Sequence, residues 1–326
     1  MVQCPRRENG RAGLVNQTDG WARTSQVTIE ADLPAGLRVH ASLDPASPVL
    51  ADFFSGYDRA FVLPNEKEML DGFEECLGLN LGASYERLAR EYGAYCEVVF
   101  TVRASGDGSR RGGGNFIAYP VGGAARTVAM NLNYVFVDRE FRGEGLMRRI
   151  LAGLPQIVSQ FLRPVTPADI THLIFFEQND PLRVSPEDYE LDSRHAGLDQ
   201  VDRLVIWDRM GARLLDFDYV QPALSDDQAP DDTLLYSVIG AHGDGLDARV
   251  LVEHLRRFFG ISVLKGAPLS SSQAAVTQLA ALELACSEGR PVPLLSIAEA
   301  LAALPPGRPP VMPSAKSFRS VAPTPR

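Results

Sequence analysis

Cysteine is scarce in this chain and never closely paired. Cys4, Cys76, Cys96 and Cys286 have no C-x-x-C spacing, which argues against a disulfide scaffold and against a cysteine-held zinc site. Long apolar runs are missing too: no stretch is long enough to span a bilayer as a helix, and no charged-then-apolar leader ends in a cleavage site. The expected compartment is therefore the cytoplasm, with no membrane partner. Positive charge is not in excess. The formal charge is −9, from 32 Lys and Arg against 41 Asp and Glu, which disfavours nonspecific nucleic-acid binding and suits a cationic substrate. Calcium loops of Asp-x-Asp spacing do not occur, so no metal is expected. No internal repeat is found. What remains is 326 residues of ordinary apolar fraction, enough for one large or two small domains.

The most informative stretch is 128–163. Residues 128–137 (V-A-M-N-L-N-Y-V-F-V) are apolar and β-prone with small polar interruptions, the pattern of a mostly buried strand. Arg142-Gly143-Glu144-Gly145 follows, and then Leu146, Ile150, Leu151, Leu154, Ile157, Val158 and Phe161 recur at helical spacing. Pro155 inside that run predicts a kink or a split. The two glycines allow backbone conformations closed to other residues and leave room for a close ligand. A helix beginning just past such a turn points unpaired N–H groups and its positive dipole end into the loop, an anion site that suits a pyrophosphate.

Strand, R-G-x-G-L and helix together resemble the acyl-CoA-binding core of the GNAT superfamily of N-acetyltransferases, whose motif is Arg/Gln-x-x-Gly-x-Gly/Ala. Arg142 and Gly145 match it, and Met147 stands where a small residue is usual. The order of elements extends the resemblance over roughly residues 37–239. It implies an α/β (α+β) fold with a mixed, mostly antiparallel twisted sheet flanked by helices, acetyl-CoA as co-substrate and an amine acceptor. The boundaries expected are a flexible tail at 1–35, the acyltransferase-like domain at 36–240, a C-terminal helical extension at 241–303 and a proline-rich flexible tail at 304–326.

Within that frame, residues 26–31 read as a possible short strand and 37–43 as the first strand of the domain. Helices are expected at 45–61, at 65–77 with Asn65 as cap, and at 84–92. Strands at 95–103, 115–121 and 128–137 read as an antiparallel meander, with a glycine- and arginine-rich turn at 104–114 whose Arg103, Arg110 and Arg111 are either phosphate contacts or a solvated hairpin. A strand at 170–177 follows the helix, so a right-handed crossover lays it parallel to the central strand. The resemblance implies that these two strands splay. Residues 180–202 read as an irregular acidic insertion, 202–209 as a helix, 213–219 and 233–239 as the last strands, and 246–259 and 270–287 as helices.

Acyl transfer to an amine needs a placed thioester, a donor for its carbonyl, a proton acceptor and a fate for the thiolate. The backbone of Arg142, Gly143, Glu144, Gly145, Leu146 and Met147 is the expected pyrophosphate cradle. The resemblance implies a main-chain donor at Phe136 or Val137. Glu177, with Gln178 and Asn179 at the end of the parallel strand, stands where open α/β sheets hold ligands. Glu177 is the candidate base, against a solvated strand end or proton loss through water. The family's closing motif, Tyr-x-x-x-Gly, aligns with Trp207 and Gly211, and indole supplies no proton. Tyr219 and Tyr134 are the nearest substitute acids. His172, His195 and His242 are weaker candidates. The acidic residues of 187–202 and 226–232 either attract a protonated amine or are solvated loops. Two rivals stand: a non-catalytic GNAT-like module that binds acyl-CoA or a protein partner, and, more distantly, a dinucleotide-binding domain, for which G-x-G-x-x-G is missing.

Overall fold

The computed structural model describes residues 14–18, 20–63, 67–122, 126–166, 169–224, 228–305, 307, 309 and 317–323. In chain order the first elements are β1 (Leu14–Thr18), β2 (Trp21–Thr24), β3 (Thr28–Leu33), β4 (Leu37–Ser42), α1 (Pro48–Ala60), α2 (Leu70–Gly78) and α3 (Gly82–Tyr92). The meander follows as β5 (Cys96–Ala104), β6 (Arg110–Val121) and β7 (Thr127–Val137), then α4 (Leu146–Phe161), β8 (Leu162–Pro164) and β9 (Thr171–Asn179). After these come α5 (Pro186–Ala196), α6 (Gln200–Arg209), β10 (Arg213–Leu215), β11 (Leu234–Ile239), β12 (Gly245–Leu246), α7 (Ala248–Arg257), α8 (Gln273–Ser287), β13 (Val292–Ser296), α9 (Ile297–Ala303) and α10 (Phe318–Val321).

Ten strands form the main sheet in the order β12-β13-β10-β11-β9-β7-β6-β5-β4-β3, and β1-β2-β8 form a small second one. In the main sheet only β7 and β9 pair in parallel, as the intervening α4 crossover requires. The mixed, mostly antiparallel sheet flanked by helices is thus the fold expected. Side chains alternate across it. Val98, Phe116, Met130, Leu132, Ile174 and Phe176 join the core under α4, whereas Ile117, Tyr119, Ala129, Leu173 and Phe175 face α3, α7 and α8. On that second side, α1 and α2 bury Phe53, Tyr57, Phe73 and Leu77 against Val99 and Phe136.

Several expectations need correction. Within the segment read as flexible tail, Trp21–Thr24 and Thr28–Leu33 are strands. Trp21 is 2 % exposed, Arg23 donates to the Asn80 carbonyl at 2.5 Å and lies over the Tyr85 ring, and β3 pairs with β4 along its length. The polar look of the segment comes from side chains that reach partners after folding. Asn65 lies outside the described residues; α2 begins later, with Met69 at its N-cap. The turn read at 104–114 is shorter, because Gly112, Gly113 and Gly114 lie inside β6, where a Cβ on each would meet backbone oxygen at 2.4–2.6 Å. These glycines serve close strand packing. Arg110 is no phosphate ligand either: it pairs with Asp52 at 3.1 Å and Asp138 at 2.9 Å, and Arg103 pairs with Asp52 at 2.7 Å. Pro155 does not split α4, which keeps Leu154, Ile157, Val158 and Phe161 buried on both sides of it.

The insertion read as irregular at 180–202 contains α5. Ser185 caps it by accepting from the Asp188 N–H, Pro186 occupies the first turn and Gly197 ends it at φ 63°. Proline there starts a helix rather than breaking one. The C-terminal extension is not purely helical, since β13 pairs with β10 and so enters the main sheet. The tail returns to the body as α10, where Phe318 is fully buried and its N–H donates to Asp180. No helix among the described residues is long and apolar enough to cross a membrane.

Candidate functional site

The site is a slot between the two parallel strands. β7 and β9 pair from Thr127↔Thr171 only as far as Asn131↔Phe175. Beyond that, β7 continues to Val137 on β6, and β9 continues to Asn179 on β11. The parting coincides with a bulge: Phe116 opposes Leu132 and Asn115 opposes Tyr134, so Asn133 is an extra residue. A bulge raises the local twist and re-aims the strand. The resulting cavity holds about 940 Å³ and reaches from α4 through the slot to the far face of the sheet.

Every predicted ligand-binding residue lines this cavity: Phe136, Val137, Arg142, Gly143, Glu144, Gly145, Leu146, Met147 and Asn179, with Glu177 as well. Their roles differ from one another. Gly143 and Gly145 have φ of 82° and 72°, a region that favours glycine, and the space a Cβ would take is open at both. Gly145 is the N-cap of α4, and no side chain caps the helix. The first backbone bond of that turn is from the Arg149 N–H to the Gly145 carbonyl, so the N–H groups of Leu146, Met147 and Arg148 precede the ladder. An open, uncapped, glycine-edged helix start fits a phosphate group. Leu146 itself is buried core and Met147 packs against it, so both serve through their backbone. The Arg142 guanidinium donates to the carbonyls of Val137 and Ala196, which braces α5 against β7. Burial lowers its pKa.

Of the two carbonyl-donor candidates, geometry separates one. Asp138 donates its N–H to Arg111 on β6. Strand alternation then turns the Phe136 amide toward β6 and the Val137 amide toward the slot. The Phe136 ring instead packs with Phe53.

Glu177 lies half-buried at the slot's far side, and burial pushes its carboxyl up to about 7, with Asp231 adding to the rise. The Tyr219 hydroxyl donates to Glu177 Oε1 and holds that rise in check. Tyr219 is buried against Tyr236, with ring centroids 4.3 Å apart, and does not line the cavity. Burial raises its phenol well above 10, so it orients Glu177 and makes a poor proton source. Tyr134 does line the cavity, but its phenol is likewise pushed well up by burial. Trp207 lines the cavity and packs on Phe176 with centroids 4.1 Å apart. His172 borders the sheet end away from the slot, His195 bonds the Arg59 carbonyl at 2.8 Å, and neither reaches the cavity. Asp226 and Asp227 lie outside the described residues. Asp192 pairs with Arg203 and is no free anion for an amine.

Sequence reasoning missed the polar floor on the far face. Glu97 on β5 is 1 % exposed and still borders the cavity. Its Oε1 accepts from Asn115 at 2.9 Å and Asn133 at 3.3 Å, and its Oε2 from Ser262 at 2.6 Å. Asn133 also donates to Asn115 Oδ1 and accepts from Asn131, which accepts from the Tyr236 hydroxyl beside His254. The available signal was one glutamate inside an otherwise apolar strand, C-E-V-V-F, where a charge needs a reason to be buried.

Burial raises Glu97 from its ordinary 4.5 to about 7. Its folded value exceeds its unfolded one, so its contribution to stability is complete below about 4.5 and is lost as pH rises through about 7. Denaturation midpoints measured across that window should fall more steeply for the natural chain than for Glu97→Gln. Equal slopes would mean that the carboxyl is not desolvated as described.

No family model matches the chain, and no curated protein matches it. Solved structures similar to it are acetyltransferases by title. One is a probable acetyltransferase (13 % identity, 65 % of this chain and 96 % of that one, TM-score 0.31). Another is a ribosomal-protein-S5-alanine acetyltransferase from Vibrio fischeri (12 %, 66 % and 96 %, 0.31). A third is a spermidine N-acetyltransferase chimera from Vibrio cholerae and hSSAT (11 %, 63 % and 95 %, 0.29). Likeness at these scores carries no weight for activity, which has to be read from the chain's own geometry.

Proposed function

We propose that this chain is an acyl-CoA-dependent N-acyltransferase, with acetyl-CoA as donor, that acts by direct attack of an amine in a ternary complex. The observation that carries the reading is the slot: two parallel strands that part beside an uncapped, glycine-edged helix start, with a raised-pKa carboxylate on the far side. When bound, the coenzyme supplies an activated thioester. The amides at the start of α4 hold its diphosphate, and Gln178, whose buried Oε1 has no partner, offers an acceptor to an amide N–H threaded through the slot. The Val137 N–H points toward a carbonyl oxygen lodged there, a kind of donor worth ~3 kcal/mol in the transition state. Glu177 takes a proton from the bound ammonium, the neutral amine attacks the thioester carbonyl, and the second N–H proton passes to water, which reprotonates the departing thiolate. The C–N bond forms, the C–S bond breaks, and the thiolate leaves without a tyrosine acid. On this reading residues 36–240 carry the reaction and 241–303 roof the acceptor side.

Calorimetry with acetyl-CoA tests it. Binding by the natural chain is expected, weakened about tenfold or more, ~1.4 kcal/mol, by Gly143→Val with Gly145→Val. No binding, or binding indifferent to that double change, would sink the reading. A non-catalytic acyl-CoA-binding or interaction module remains the rival, favoured by Trp207 at the closing motif. Thiol release with any amine removes it.

A further inference from the structure

The cavity is electrically polarised. Arg142, Arg148 and Arg149 around the start of α4, with Arg203 and Arg209 on α6, outnumber the acidic Glu144 and Asp192 in its lining away from the far face. On the far face stand Glu68, Glu97 and Glu177. Glu68 is matched by Lys265 at 3.3 Å. Among the described residues no ion pair is made by Glu97 or Glu177.

The Glu97 surroundings can hold an anion. Its three donors occupy three of the roughly four acceptor positions of a carboxylate. Asn115 gives one N–H to Glu97 and the other to the Val98 carbonyl at 3.1 Å, while its oxygen accepts from Asn133. Asn133 gives its two N–H groups to Asn115 and Glu97. Neither amide can turn over without losing these bonds. A carboxylate held this way by neutral donors alone is left without a counter-charge in a low-dielectric wall, an arrangement that is costly until a cation arrives. One acceptor position remains on Oε2, beside Ser262 in the turn Phe258–Val263, which forms part of the cavity lining.

We propose that Glu97 is a specificity residue for the acceptor: its carboxylate, held by Asn115, Asn133 and Ser262, receives a second ammonium group of a diamine whose reacting nitrogen lies at Glu177. This rests on the acyltransferase reading. Asn133, at the strand edge where the slot opens, ties Glu97 to one bank, and Glu177 stands on the other. Both carboxylates line the same cavity, so a diamine that reaches both presents one nitrogen to each, whereas a monoamine satisfies only one.

The test is calorimetry on the full chain with 1,4-diaminobutane and 1-aminobutane, with thiol release measured in parallel. The diamine should bind about tenfold or more tighter than the monoamine. Glu97→Gln should erase that preference and leave acetyl-CoA affinity within about twofold. Ser262→Ala, a milder change, should reduce the preference and guards against a Glu97→Gln chain that fails to fold, which a thermal melt would reveal. Equal binding of the two amines, or a preference intact in either variant, overturns the inference. Diamine preference without thiol release would sink the acyltransferase reading and leave the site standing. Thiol release at equal kcat/KM for both amines would do the reverse.

Discussion

On the proposed acyltransferase reading, Glu177→Gln is expected to lower kcat by roughly 10²–10⁴-fold, the range for removing a positioned general base, and to leave acetyl-CoA binding unchanged. The reason is location. The carboxylate borders the far side of the slot, on the opposite face from the glycine-edged helix start, so on the proposed reading it meets the acceptor and not the diphosphate. Its value near 7 places it where it can both lose and regain a proton under ordinary conditions. The pH profile supplies a second readout. A base must be ionised, so kcat/KM rises with pH through about 7. Tyr219→Phe removes the hydrogen bond that lowers this value, and the rising limb moves to higher pH while the maximum is kept. A profile unmoved by Tyr219→Phe, together with full activity in Glu177→Gln, would show that the proton leaves by another route.

Phe318→Ala destabilises the chain by about 3–5 kcal/mol, the usual range for deleting a fully buried phenylalanine. Phe318 has no exposed surface and belongs to the main core, against which Leu301, Leu304, Val321 and Ala322 also pack. Its backbone is fixed as well: Asp180 accepts from the Phe318 N–H at 3.0 Å and from the Ser317 hydroxyl at 2.6 Å, and Arg319 pairs with Asp216 at 2.7 Å. Asp180 directly follows β9, so the docked tail buttresses the strand that carries Glu177. The denaturation midpoint should drop with an unchanged slope m, because the same surface is exposed on unfolding. A midpoint identical to that of the natural chain would mean that α10 does not dock.

Periodicity carried most of the architecture into the sequence. The runs V-A-M-N-L-N-Y-V-F-V and I-T-H-L-I-F-F-E, joined by a helix of period 3.6, were enough to place two parallel strands and the loop between them. The glycine turn before α4 was legible because glycine at a positive φ has a local signature. Partnership at a distance was not. Phe318 is one aromatic residue in a proline-rich tail, and nothing near it announces the cavity it fills. Glu97 reads as an anomaly in a strand until Asn115 and Ser262 arrive from 18 and 165 residues away. Arg142 matched a motif position, but its side chain is held by the Val137 carbonyl of β7 and by the Ala196 carbonyl, which only the folded insertion supplies. The choice between Phe136 and Val137 turned on which edge each amide faces, a matter of register that composition does not encode.

The surplus residue at Asn133 bears on how such a site arises and is lost. The bulge that coincides with the opening is a matter of chain count in β7 against β6, so exchanging one side chain for another leaves the miscount in place. Only a change of length, by deletion in β7 or a matching insertion in β6, restores an even tally. Substitution can therefore retune what enters the gap, while the bulge beside it persists until β6 or β7 changes length.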